Sequence, residues 1–526
     1  MNSFMNRFAD QINGVLSGFD RLVFRGSLRG LEFVEGMGRY LSRCGVLLKD
    51  FGDHVERVSQ CVKQAACAEA LRLGRPVLYL DSPKANKEAV AQAILQRDGV
   101  KAGPVCVLTC VEPCFTYDIH KNGQAKRLEL VRRWRKCLHV YQYGIDPVAG
   151  LCHVRLQTWF PLGIQICLNG REWLARQMER AGLAYQRADN CLPWVEDWAA
   201  AQELLDEQLR TDWPALLGRL ARQINPRHDE LFRRFQTQYY WSAHQSEWAT
   251  DVVFKDGQVL RRLYPRLLRQ AMVGTGATDV LRFLGRRLGP GASVPSQLEA
   301  EVTSDLKGRQ EGLRIKHRAG ANSVKAYDKA YTTAGAVLRT ETTLNDPSAF
   351  KVYRTKEGQE EGPAHWRGLR KGVADMHRRA EVSQKSNERY LEALAVVEEG
   401  ATVEELVEPL ARRAPWKGRK VRALAPLGPE DRRLLEAVGH GEFTVNGVRN
   451  RDLQGLLWTQ AAASAEERRR RSARVSRQLI LLRAHGLLRK VPREHRYQIT
   501  EMGRRVISAV LAAAKAPVNQ LLSMAA

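Results

Sequence analysis

The chain reads as a multidomain protein of mixed α/β and α+β class, and three observations carry that reading. A short apolar run at 76–80 precedes a helical stretch at 86–96 and a second apolar run at 104–109, the strand–helix–strand rhythm of an α/β unit. Segments at 137–170 and 311–344 alternate polar and apolar residues with period two, as antiparallel strands do. Helical patterns fill much of the remainder.

With 526 residues, 44% of them hydrophobic, the chain has room for roughly three or four domains with their own cores and is not a disordered tail. The expected divisions are an α/β domain at 1–136, an α+β domain with antiparallel strands and a helical extension at 137–290, a hairpin and long-helix domain at 291–410, and a basic connector with a terminal domain at 411–526.

Residues 1–75 read as mostly helical, with an apolar patch at Leu22, Val23 and Phe24. After the run at 76–80 come Asp81, Ser82 and Pro83; no Gly-rich phosphate loop stands there, so a nucleotide site is not expected. Strands are expected at 137–143, 152–160 and 164–168, and Asn169 with Gly170 opens a helix at 171–181. On the middle strand His153, Arg155, Gln157 and Trp159 share a face that is polar, cationic and aromatic. It is either a working surface or the solvated side of an ordinary sheet.

Residues 198–290 read as helical. Tyr239, Tyr240, Trp241 and Trp248 cluster there with His244, Glu247 and Asp251, as an aromatic core between helices or as a base-stacking surface. Gly289 to Ser293 reads as a linker. Strands follow at 312–316, 323–327 and Ala336–Leu344. Pairing the last two brings Lys325, Tyr327, Arg339 and Glu341 together, with His317 and Arg318 at the mouth of the hairpin. A long amphipathic helix spans 371–397.

The formal net charge is +25. Residues 411–526 hold 24 Lys/Arg against 9 Asp/Glu, more than half of that excess in under a quarter of the chain. Such an excess favours polyanions, because each cation seated on a phosphate releases a condensed counterion. All ten Cys lie between Cys44 and Cys191, and neither a secretory signal nor a membrane-length apolar run is present, so a cytoplasmic protein with free thiols is expected. Cys106, Cys110 and Cys114 recur every fourth residue on one strand face; buried core thiols are expected rather than metal ligands.

The C-terminal elements are a helix at 429–438, a strand at 442–445, a tight turn at Asn446 and Gly447, and a helix at 451–457 capped by Asn450. After the charged run 466–471 comes a helix burying Val475, Leu479, Leu482 and Leu487 and offering Arg474, Arg477 and Arg483 outward. A hairpin with Arg489, Lys490, Arg493, His495 and Arg496 follows, then a closing helix at 501–514. Over roughly 430–515 this order resembles the winged helix-turn-helix domains of bacterial transcriptional regulators. That resemblance implies a recognition helix in the major groove and a cationic wing on the neighbouring backbone.

Lys325, Ala326, Tyr327, Asp328 and Lys329, followed by Arg339, Thr340 and Glu341, resemble a pattern of phage and plasmid rolling-circle replication initiators. The resemblance implies a metal-dependent fold that nicks one DNA strand. Tyr327 would be its nucleophile, Glu341 a metal ligand or base, and Lys325 and Lys329 phosphate holders, with Asp328 in the same motif. Magnesium or manganese would suit carboxylate ligands. The chain carries no His-x-His, which such initiators usually show; the same residues also fit an ordinary hairpin in which Arg339 and Glu341 are structural partners. No compact acid cluster stands out, although Asp118, Asp189, Glu196, Asp305 and Glu341 could converge in space. The whole chain, most strongly around Val154 to Pro161 and Asn169 to Glu172, resembles a bacterial family occurring in many genomic copies, as mobile elements do.

The expected function is therefore a nucleic-acid-binding protein of a mobile element that processes DNA, as a replication initiator or a transposase-like enzyme nicking a strand at Tyr327 with a metal. The alternative is a non-catalytic DNA- or RNA-binding protein, a regulator or a component of a ribonucleoprotein. Its partners are duplex or single-stranded DNA or structured RNA, contacted through Arg155, Trp159, Arg314, Lys316, His317, Arg318, Lys329, Arg339 and the C-terminal cations. No membrane is involved, and self-association is open.

Overall fold

The computed structural model describes residues 3–516 except 274, 276, 286–297, 305–311, 333–334, 356–364, 396–402, 440–442, 444–446, 459, 461 and 492–493. The chain is a mixed α/β protein in two compact units, one of residues 8–264 and 299–387, the other of 1–7, 265–298 and 388–526. No described helix is long and apolar enough to cross a membrane.

The first unit is built on one eleven-stranded sheet. Its strands are β1 (Ile12–Ser27), β2 (Val77–Leu80), β3 (Gly103–Asn122), β4 (Arg127–Asp146), β5 (Gly150–Gln157), β6 (Ile164–Asn169), β9 (Tyr240–Phe254), β10 (Leu298–Ser304), β11 (Leu313–Ala319), β12 (Asn322–Tyr331) and β13 (Ala336–Leu344); β7 (Tyr185–Ala188) and β8 (Cys191–Val195) form a separate hairpin. The order across the sheet is β10-β11-β12-β13-β9-β1-β6-β5-β4-β3-β2. At one edge β2 and β3 run parallel, joined by the helix Lys87–Asp98 in the expected strand–helix–strand unit.

Two long strands replace expected helices. β1 lies in the stretch expected to be helical at 1–75, and β9 in that expected at 198–290. In β1 the glycines conceal the strand pattern: Gly14 and Gly18 sit directly under Trp198 and Leu205, so their missing side chains seat the helix Trp198–Asp206. In β9 Glu247 and Asp251 stand four apart, a spacing that suits a helix face and a strand face equally. The boundary expected between 136 and 137 falls inside β4, and β11 to β13 pair onward to β9, so three expected domains share this sheet. The linker expected at 289–293 lies outside the described residues.

One sheet face carries the main apolar core, against the helices Val34–Cys44, Phe51–Arg72 and Trp213–Ile224. Trp213–Ile224 starts where Asp212 accepts the Ala215 amide, and Pro214 at its first turn needs no amide partner. It buries Leu217, Leu220 and Ile224, each contributing roughly 1.5–3 kcal/mol over exposure.

The second unit includes a basic cluster of helices at Pro429–Val438, Asn450–Leu457, Ala465–Ala484 and Glu501–Lys515, with a hairpin of Leu488–Lys490 and Tyr497–Ile499. Leu435, Leu453, Leu479, Leu482 and Val506 form its core. Two details differ from expectation. Arg449, not Asn450, occupies the cap position; Asn450 lies inside the helix and donates to the Ser472 carbonyl and the Ser476 hydroxyl. The charged run 466–471 belongs to the long helix, whose cap is Ser464. Most of the strand expected at 442–445 lies outside the described residues; Val448 instead bridges Tyr497. The connector around Trp416 is a small hairpin, with Lys417 and Gly418 at positive φ.

Candidate functional site

Three carboxylates converge on the polar face of the sheet. Asp20 of β1, Glu247 of β9 and Glu341 of β13 each bring an oxygen within 4.8 Å of the others. Local pairing explains how. Phe19 pairs with Trp248 and Arg21 with Glu247, so Asp20 is the extra residue of a β-bulge, the device that re-aims a side chain. Glu341 lies opposite Ala249, and Glu247 opposite Thr343, which sets the two glutamates diagonally across neighbouring strands.

Cations and a phenol surround them. Lys325 pairs with Glu341 in the register and places Nζ 2.5 Å from its Oε1 and 4.0 Å from Oε1 of Glu247. The Tyr327 hydroxyl donates to Oε2 of Glu341 at 2.8 Å. Asn190, beside the β7–β8 hairpin, donates to Asp20 at 2.8 Å. Arg339 lies 3.2 Å from Asp20 and also grips Asp251, which Arg171 contacts from the helix Gly170–Ala181. That helix begins where the Asn169 side chain accepts the Arg171 and Glu172 amides.

The electrostatics are unevenly settled. Burial pushes the Glu341 carboxyl up, but Lys325 and Arg339 outweigh it and hold the group below its ordinary value. At Glu247 the balance is reversed: burial and the Glu341 charge outweigh Lys325 and push it up to about 7. Burial and Glu341 also hold the Tyr327 phenol well above its ordinary value. The Glu247 side chain is 15% exposed and Lys325 16%, so the cluster opens at this edge. Carboxylate oxygens are donors for hard divalent cations, and an incompletely compensated buried carboxylate pair is the setting a cation would relieve.

Tyr327, Glu341 and Lys325 thus meet as expected, whereas several other candidates do not. Asp328 is on the opposite face, buried, its carboxyl pushed up to about 6 by burial. Lys329 is engaged by Asp189 at 2.9 Å, and Arg339 lies between Asp20 and Asp251, so both cations are already paired; Tyr327 and Glu341 are buried as deeply, and of the cluster only Glu247 and Lys325 reach the opening. His317 is buried, opposite in parity to Lys316 and Arg318, and held neutral at about 4 by desolvation. Trp159 lies beyond the end of β5 and packs on the core edge.

His153, Arg155 and Gln157 do share a half-buried face. Arg155 is paired with Glu112 at 2.8 Å. The register runs from Glu247 to Arg21, and from Val23 through Cys167 to His153, linking this face to the carboxylates; Arg21 and Arg25 are exposed along it. Arg314 and Arg318 are exposed on β11; Lys316 is half-buried on Glu301.

In the basic cluster Arg477, Arg489, Lys490 and His495 are exposed. Arg474 is paired with Glu430, Arg496 with Glu494, and Arg483 stacks on Trp416. Arg493 lies outside the described residues. Arg468, Arg469 and Arg470 are exposed as well, on the same helix as Arg477.

Sequence reasoning missed Asp20, Arg171 and Asn190, and placed Glu247 and Asp251 among helices. Of the scattered acids, Glu341 belongs to the cluster, while Asp118 pairs with Arg135, Asp189 with Lys329, and Glu196 accepts the Ala184 amide. Asp305 lies outside the described residues.

No protein-family profile, curated protein or solved structure matches this chain.

Proposed function

We propose that the chain is a nucleic-acid-processing protein of a mobile element, with a metal-dependent strand-cleaving centre at Asp20, Glu247 and Glu341. The convergence of those three carboxylates carries the reading. A magnesium or manganese ion held there would polarise a phosphate oxygen and neutralise charge in the transition state. The residues supply the rest. Glu341 accepts the hydrogen bond of Tyr327 and is placed to take its proton as the phenol oxygen bonds to phosphorus; the bond from phosphorus to the departing sugar oxygen breaks, and that oxygen takes a proton from solvent. Lys325 and Arg21 flank the cluster as phosphate contacts. Arg339, Arg171 and Asp251 fix the strands beneath.

The basic C-terminal cluster is proposed as a winged helix-turn-helix reader of duplex DNA. Its element order and the exposed cations on its long helix and hairpin support this. The polar sheet face through Arg21, Arg25 and His153 would take the strand being processed.

Cleavage of labelled single-stranded and duplex oligonucleotides with manganese or magnesium tests the proposal. Metal-dependent cuts lost in Glu341→Gln, with Tyr327→Phe abolishing both cuts and covalent protein–DNA adduct, are expected. Cleavage that survives Glu341→Gln overturns the centre; cleavage that survives Tyr327→Phe overturns the tyrosine step alone. One observation favours binding without chemistry: Lys325 and Arg339 already neutralise Glu341 and Asp20. Saturable, metal-independent binding with no cuts would select that reading.

A further inference from the structure

A second donor cluster lies on the same sheet, on strands that contribute nothing to the carboxylate centre. Cys114 of β3 with Cys137 and His139 of β4 bring their ligand atoms within 4.8 Å of one another, and all three residues are buried. The register explains the meeting. Cys137 pairs with Glu112 and His139 with Cys110, so Cys114 lies diagonal to Cys137 on one face. The four-residue spacing of Cys110 and Cys114 along β3 does not form the group; the cross-strand partners do.

Three features set this cluster apart from ordinary core thiols. The two sulfurs are 2.8 Å apart. That is a direct thiol–thiol hydrogen bond, beyond the ~2.05 Å of a disulfide and closer than the ~3.8 Å between two thiolates each ~2.3 Å from one tetrahedral zinc, so the pair would part by about 1 Å on taking an ion. His139 turns Nδ1 to the Cys137 carbonyl at 3.2 Å, which leaves Nε2 as the ligating nitrogen, the arrangement in which a second-shell acceptor fixes a metal-binding imidazole. The Trp159 amide donates to the Cys137 sulfur, and Arg155 lies nearby with its charge met by Glu112.

We propose that Cys114, Cys137 and His139 form a binding site for a borderline-soft transition metal of the zinc type, tying the β3–β4 ribbon together. Two thiolates and a neutral imidazole balance a divalent charge, so the set can be buried without a further counter-ion. Sulfur and nitrogen donors also distinguish it from the all-oxygen cluster at Asp20, Glu247 and Glu341, which suits harder ions.

The test uses the full chain, stripped with chelator under reductant and titrated with cobalt(II). Stoichiometric binding with a thiolate-to-cobalt charge-transfer band is expected. The band should vanish in Cys114→Ser and Cys137→Ser and persist in Glu341→Gln. His139→Asn should weaken cobalt binding by at least the ~10–100-fold that loss of an outer-shell partner alone costs. Should the serine variants fail to fold, differential alkylation of the wild type decides: Cys114 and Cys137 should be protected with zinc and labelled after chelation. Cobalt binding without the band, labelling indifferent to zinc, or a Cys114–Cys137 disulfide in protein that takes up no metal each overturns the proposal.

Discussion

The Arg339 guanidinium clasps the Asp251 carboxylate through two hydrogen bonds, Nε to Oδ1 at 2.5 Å and Nη2 to Oδ2 at 2.7 Å, and each side chain is 1% exposed. Arg171 and Asp20 complete the chain of charges. Removing one member leaves its partner charged in a low-dielectric interior. Arg339→Ala is expected to cost about 3–5 kcal/mol of stability, as broken buried pairs do. Urea unfolding followed by circular dichroism checks this; a loss under about 1 kcal/mol, the range of exposed pairs, would show that the clasp is not closed in solution.

Glu247 gives a pH dependence of definite sign. Its folded-state pKa is raised to about 7 by burial and by Glu341, so folding takes up a proton between the unfolded and folded values. Its contribution to stability is intact below about 4.5, the ordinary carboxyl value, and is lost as pH rises through about 7. Metal-free Glu247→Gln should therefore be more stable than wild type at pH 8, by on the order of 3 kcal/mol, and match it at pH 4. Thermal melts at the two pH values decide; an equal difference at both rules the titration out.

Manganese should erase that difference. A cation held by Asp20, Glu247 and Glu341 competes with the proton on Glu247, so the metal-induced rise in Tm should grow from pH 5 to pH 8. Glu341→Gln should remove the rise. A rise of the same size at both pH values would place the ion elsewhere.

The exposed cations of the basic cluster predict a salt effect. Replacing Arg477, Arg489 and Lys490 with Ala should weaken duplex binding and lower the slope of log affinity against log salt by about 0.9 for each phosphate that is no longer neutralised. Arg483→Ala, whose guanidinium stacks on Trp416, should change the slope little. Filter binding across salt concentrations reads both, and equal slopes for the triple variant and wild type would refute the proposed DNA surface.

Asn169→Ala should destabilise the first unit by about 1 kcal/mol, the usual cost of a lost cap, because two amides of the helix bearing Arg171 lose their acceptor. Replacement with Asp should restore most of it.

Much of this is present in local patterns. The β13 strand is legible with its bounds, the Lys325–Glu341 and Tyr327–Arg339 pairs follow from two adjacent period-two strands, and the Asn169 cap is a local hydrogen-bond device. The C-terminal helices are legible because their apolar residues recur with helical spacing. Those signals live within a dozen residues, where periodicity and capping act. What the tertiary structure decided is which strands are neighbours. β1 hides behind glycines that make sense only under Trp198 and Leu205, and β9 behind a spacing common to helix and strand. Asp20, Glu247 and Glu341 are far apart in sequence and meet because a bulge at Asp20 and the registers of β1, β9 and β13 turn them onto one face. A one-residue slip in any of those registers would send its carboxylate to the other side, and register across distant strands is set by the packed whole rather than by any one segment.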